Sequence, residues 1–176
     1  SVTLGTTGAT TINTGAIAAT ATAGYNGYAS ALGNLTAASL GDAYLYNGYY
    51  GISATATSDK YGNGVAVANG ALVLGYGNAY TISQGDITAT ANGGKYGAAY
   101  AFGSITNAAN GYALLYSAGD ISATANASGK YGNGATAIAM ASQVYGLTDA
   151  TTINYGDISA NASTEENGYS FALGNS

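Results

Sequence analysis

From Ile121 the segment "GDISATANA" (119–127) alternates strictly, with Ile121, Ala123 and Ala125 on one side and Ser122, Thr124 and Asn126 on the other. The stretch "GDITATANG" at 85–93 does the same, with Ile87, Ala89 and Ala91 against Thr88, Thr90 and Asn92. A period of two over six residues predicts a half-buried strand, whereas a helix would repeat every ~3.6 residues. The Ile and Ala positions are expected inside and the hydroxyl and amide positions outside. Further alternating runs follow at "YASALG" (28–33), "VAVANG" (65–70), "AYAFG" (99–103), "ATAIAM" (135–140) and "YSFALG" (169–174). A third kind of run precedes each new copy: "ATTIN" at 9–13, "AYTIS" at 79–83 and "ATTIN" again at 150–154. Asn-Gly pairs such as Asn63-Gly64 and Asn133-Gly134 recur among these runs and read as positive-φ turns at the corners.

The runs belong to a repeat. Its anchors are Ile17, Ile52, Ile87, Ile121 and Ile158, which are 35, 35, 34 and 37 residues apart. Lys60, Lys95 and Lys130 share one repeat position, Tyr61, Tyr96 and Tyr131 the next, and Asp86, Asp120 and Asp157 each precede an anchor. Each copy therefore holds about three short strands. A strand-rich unit of this size buries its apolar face only by stacking on its neighbours. The pattern predicts an all-β fold, a parallel β-solenoid (β-helix) of about five coils of ~35 residues, forming one domain over 1–176. Inward alanines imply a narrow core, with ladders of Ile and aromatic residues expected to fill it. One coil per repeat is preferred because only then does each side chain stack on its own equivalent. Two shorter coils per repeat, or a β-sandwich, are the alternatives.

Composition narrows the functional classes. Only 6% of the 176 residues are charged, with three Lys+Arg against eight Asp+Glu for a net charge of −5. No basic patch is available to neutralise phosphates, so nucleic acid is not an expected partner. No apolar run of ~18 residues offers a transmembrane segment. The first residues, "SVTLGTTGATTINTG", lack the basic and apolar blocks of a signal peptide, so any such leader is expected to have been removed. There is no Cys, His, Pro or Trp, which excludes disulfides and thiolate or imidazole metal sites. Catalysis is not expected, because the acids are periodic instead of clustered and lack a His or Arg partner. No cofactor is expected either.

The ends carry the first candidate site. The last copy runs 21 residues from Gly156 to Ser176, and the 14 residues before Gly15 match the third strand type, "GATTIN" paralleling "DATTIN". Together they make one 35-residue repeat. This leads us to expect a homopolymer, in which one subunit's first strand completes the next subunit's last coil, head to tail. The expected contact residues are Val2, Leu4, Thr11, Ile12, Ile158, Glu166, Tyr169, Phe171 and Leu173, with Lys130 near Glu166 of the next copy. A segment cut from a longer array would match at its ends in the same way.

Three further groups stand out. The column Asp86, Asp120 and Asp157 offers oxygen ligands for calcium, although Asp after Gly at a corner also serves as a turn residue accepting backbone N–H bonds. The outward column Thr20, Thr55, Thr90 and Thr124 presents regularly spaced hydroxyls and methyls. Such a face suits ice binding, and β-branched Thr also simply suits an exposed strand. The tyrosines offer rings that stack on carbohydrate or a cell surface, or that brace the coils as ladders. Glycosylation sequons occur at Asn34, Asn126 and Asn161.

The run "GDISATA…YGNGATA…TTINYGDISA" resembles repeats of secreted bacterial β-solenoid surface proteins, the passenger regions of autotransporter-like adhesins. That resemblance implies an extracellular or cell-surface location and a role in adhesion or surface structure. The expectation is thus an extracellular structural protein, a solenoid subunit assembling into a filament for adhesion, biofilm matrix or coat. Ice binding, or a place within a larger adhesin passenger, is the alternative.

Overall fold

The computed structural model describes residues 1–59, 61–128, 135–165 and 168–176. Every element among them is a strand. The first coils contain β1 (Val2–Gly5), β2 (Ala9–Asn13), β3 (Ile17–Ala23), β4 (Tyr28–Ala38), β5 (Ala43–Asn47), β6 (Ile52–Ser58), β7 (Asn63–Val73) and β8 (Ala79–Ser83). The later coils contain β9 (Ile87–Gly93), β10 (Ala98–Ala108), β11 (Tyr112–Ser117), β12 (Ile121–Ala127), β13 (Thr136–Gly146), β14 (Asp149–Asn154), β15 (Ile158–Thr164) and β16 (Tyr169–Asn175). They form three parallel sheets: A in the order β1-β4-β7-β10-β13-β16, B in the order β14-β11-β8-β5-β2, and C in the order β15-β12-β9-β6-β3. Each strand thus pairs with its equivalent one repeat away, which makes a β-solenoid of about five coils at one coil per ~35 residues. The Ile anchors pair Ile17↔Ile52↔Ile87↔Ile121↔Ile158, as their spacing predicts.

Each coil is two layers thick. Sheet A forms one layer, and sheets B and C lie against it side by side. The long strands of sheet A change phase in the middle. In β4, Gly33 and Asn34 are both buried, with alternation on either side. The residues before this slip face sheet C, and those after it face sheet B. At the slip a Cβ built on Gly33 would lie 3.0 Å from the Ile52 side chain, and one on Gly103 would lie 2.9 Å from that of Ile121. Each large Ile of sheet C therefore seats against a position that carries almost no side chain.

The sheet C compartment is an aliphatic core of Ile52, Ile87 and Ile121 set among alanines such as Ala54, Ala89 and Ala123. The sheet B compartment is mixed. Asn34 Nδ2 donates to Asn47 Oδ1 at 2.9 Å, and Asn47 Nδ2 donates to Asn69 Oδ1 at 3.1 Å. Thr36 Oγ1 bonds Thr11 Oγ1 at 2.7 Å, and Thr106 bonds Thr81 in the same way at 2.8 Å. These groups have left water, so their mutual bonds are what makes burial tolerable.

Three expectations need correction. Of the Asn-Gly pairs, Asn26-Gly27 and Asn110-Gly111 lie at turns as expected, Asn63-Gly64 opens β7 at a corner, and Asn69-Gly70 and Asn92-Gly93 lie inside β7 and β9 and are not turns. In a crowded coil glycine serves close approach as much as turning. The left-handed conformation falls on Asn26 (φ 58°) and on Gly41 (φ 76°), where a Cβ would meet the Thr7 carbonyl oxygen at 2.0 Å. Asn133-Gly134 lies outside the described residues. The second correction concerns the core: among the described residues its buried apolar side chains are Ala, Leu, Ile and Val, with no aromatic among them. The aromatic ladders run along the outside, because layers that meet through alanine leave no room for a ring. Finally, the sequon residue Asn34 is fully buried, so its amide is closed to a glycosyltransferase in the folded coil.

Candidate functional site

Two kinds of feature are available for function: the coil edges at either end of the stack, and the outer faces of the sheets. Among the described residues, β2 and β3 pair on one side only, as do β14 and β15. Ile17 N–H donates to the Gly51 carbonyl at 3.2 Å, toward β6. Backbone groups alternate in direction along a strand, so those of Ala18, Thr20 and Thr22 turn away from β6 and meet no strand.

The described contact residues all lie on end strands, β1, β2, β15 and β16, but their side chains point in different directions. Val2, Leu4 and Ile12 project outward, with Leu4 74% and Ile12 68% exposed. Thr11 points inward, and its Oγ1 donates to Thr3 Oγ1 at 2.7 Å. Ile158 packs inward against the aliphatic core. Tyr169, Phe171 and Leu173 share the outward phase of β16. Contact across a coil edge would thus be made by main chain and inward ladders, and the outward residues belong to a different surface. Lys130 and Glu166 lie outside the described residues.

The acidic column has a structural task. Asp86 Oδ1 accepts the Asp120 N–H at 3.0 Å, and Asp120 Oδ1 accepts the Asp157 N–H at 2.8 Å. Each carboxylate caps the same position one coil further on. Other corners use the same device: Asp42 Oδ1 accepts Asn78 N–H at 2.8 Å, and Asn63 Oδ1 accepts Ala98 N–H at 2.7 Å. Among the described residues no three His, Cys, Asp or Glu side chains gather where they could hold a metal ion. A second polar device secures the bend between sheets B and C. Ser83 and Ser117 each donate to the carbonyl two residues on, Gly85 and Gly119, at 3.0 Å, and Asn154 does the same to Gly156.

The three outer faces differ in chemistry. Sheet C carries the predicted hydroxyl column, Thr20↔Thr55↔Thr90↔Thr124, continued by Asn161. Beside it Asn126 donates to Asn92 Oδ1 at 3.1 Å, and Ser163 donates to Asn126 Oδ1 at 2.7 Å. Sheet B displays aromatic rings: Tyr44, Tyr80 and Tyr112 follow one another at 6.2 and 6.1 Å between centroids. The phenol of Tyr80 is pushed above its ordinary value by burial, with the Asp42 carboxylate adding to the effect. At the turn after sheet C, Tyr61 stacks on Tyr96 at 5.2 Å. An open cleft nearby is lined by Asp59, Lys95 and Glu165 among others.

Sheet A carries what the alternation alone did not reveal. Before the phase slip its inward residues are small, such as Ala29, Ala31, Ala66 and Ala101, and its outward residues are large. One outward column reads Ser30, Val65, Tyr100, Ile138, Phe171, and the next reads Leu32, Val67, Phe102, Met140, Leu173. No strand of sheet A or sheet C contains a charged residue. The signal was present in "YASALG" and "AYAFG", where bulky residues alternate with Ala or Gly, but the pattern does not say which set faces in.

Among the described residues no helix is long and apolar enough to cross a membrane. Comparison with family models, with curated proteins and with solved structures found no match.

Proposed function

We propose that this chain is an extracellular structural subunit that stacks coil on coil with copies of itself, giving a filament used for adhesion, matrix or coat. The observation that carries this reading is the equivalence of the coils. Each presents to the next the same edges, in the same register, with the same inward residues. The sequence "ATTIN" forms β2 at the lower edge of the stack and recurs within β14 at the upper edge.

The junction is specific. Within the chain, Ile121 N–H donates to the Asp157 carbonyl at 2.8 Å, while the Asp157 N–H is capped by Asp120. Repeating that step, Ile158 N–H donates to the Ala16 carbonyl of the next copy, whose Ala16 N–H meets the Asp157 carboxylate. Main-chain pairing gives affinity and the inward ladders give register, as in other strand-addition contacts. The contact joins unlike surfaces and does not close, so it propagates.

Thr20→Pro tests this reading. It removes an N–H that faces away from β6, a position where an edge strand tolerates proline. Negative-stain microscopy is expected to show filaments for the parent chain and short or absent ones for the variant, with matching circular dichroism. Normal filaments from Thr20→Pro, or none from the parent, would overturn the reading.

A second reading rests on the Thr column of the uncharged sheet C face, whose regular hydroxyls and methyls suit ice. Thermal hysteresis that disappears in Thr55→Lys and Thr90→Lys supports it, and freezing at the buffer value removes it.

A further inference from the structure

We propose that the outer face of sheet A is a self-association surface, on which a second copy of this chain packs face to face about a two-fold axis lying along β10.

An outward face normally carries the polar half of an alternating strand. Here it carries Val65, Val67, Tyr100, Phe102, Ile138 and Met140, while the inward half is alanine and glycine. The inversion leaves two adjacent, uncharged and mainly apolar columns on an outer face in water. Patches of this kind mark interaction sites.

Three observations identify the occupant as a copy of the chain. The first is charge. The chain carries −5, and like-charged copies repel, but sheet A has no charged residue on any strand, so two copies meet here without opposing carboxylates. The second is size. Four strands of 11 residues, with the seven-residue β16 beside them, cover about 800 Å², comparable to the ~800 Å² per partner of a stable interface.

The third is shape. The column Ser30, Val65, Tyr100, Ile138, Phe171 has its smallest side chain at one end of the stack and aromatic rings at its centre and other end. A two-fold axis along β10 reverses coil order in the second copy. Ser30 then faces Phe171 and Val65 faces Ile138, so the small end of each copy meets the aromatic end of the other. In the neighbouring column Leu32 faces Leu173 and Val67 faces Met140. Tyr100 and Phe102 meet their own equivalents at the axis. Aromatic residues at the desolvated centre of an interface are its usual energetic anchors.

The surface is independent of the coil edges, so each proposal can fail alone. Sedimentation velocity is measured on Thr20→Pro, which blocks edge stacking, with and without Phe102→Glu. A dimer is expected for the first. Adding Phe102→Glu places two carboxylates at the axis and raises the dissociation constant at least about a hundredfold, with an unchanged circular dichroism spectrum. Because the chain has no cysteine, Tyr100→Cys in the same background is expected to give a covalent dimer with a short bis-maleimide, and Thr90→Cys on sheet C is not. A monomer at high micromolar concentration, a dimer indifferent to Phe102→Glu, equal cross-linking at Thr90→Cys, or a monomer that binds neutral lipid vesicles through this face would each overturn the proposal.

Discussion

Replacing Ile87 by alanine probes the idea that the stack is held by one large residue per coil set among small ones. Ile87 is fully buried, between Ile52 and Ile121 in the ladder and among Ala54, Ala89 and Ala123. Three carbons are lost, worth about 2.4 kcal/mol at ~0.8 kcal/mol each. A cavity term is added. Collapse would have to come from alanines, which have no rotamers to adjust, from Ile52 and Ile121, which are seated against Gly33 and Gly103, or from a main chain paired on both sides by β6 and β12. The site therefore belongs in the upper half of the ~2–5 kcal/mol range for such truncations, at about 3–5 kcal/mol. For a chain of this size that lowers the melting midpoint by about 10 °C. The control is Ile158→Ala, at the same repeat position in β15 but only half-buried, where less than half the loss is expected. Urea and thermal unfolding followed by far-UV circular dichroism measure both. An Ile87→Ala loss below about 1 kcal/mol, or equal losses at the two sites, would refute the reasoning, because it would show that the coil relaxes around the gap.

Two more outcomes follow from the mixed compartment and the tyrosine face. Asn47→Ala removes the bridge between Asn34 and Asn69 and leaves both buried amides short of a partner, which costs about 1–3 kcal/mol for each group in urea unfolding. Tyr80 holds its proton above the ordinary phenolic value of 10.0. The folded chain thus binds more protons than the unfolded one only at alkaline pH. This contribution is fully present below 10.0 and disappears as pH rises through the raised folded-state value. Melting midpoints against pH are expected to fall in that window. Asp42→Asn, which removes a neighbouring negative charge, is expected to move the Tyr80 ultraviolet titration back toward the ordinary value.

Much of the architecture was legible in the chain. The Ile anchors, the strict alternation of "ISATANA" and the common position of the lysines specify parallel strands one repeat apart, because only in-register stacking lets every residue meet its equivalent. The Asp column was recognisable as a corner device, since Asp after Gly at a bend commonly accepts a backbone N–H. The sheet B strands of "AYLYN" and "YALLYS" were passed over, because they lack the Thr-Ile pair shared by their equivalents.

What tertiary structure alone decided is which half of each alternation faces in. "AYAFG" satisfies a period of two whether its alanines or its aromatic residues are buried. The choice fell to alanine because the two layers approach too closely for larger groups, with Ile52 and Ile121 already seated against Gly33 and Gly103. That spacing is a property of the whole stack and of no single strand. It turned Tyr100, Phe102 and Met140 outward and moved them from the core to the surface.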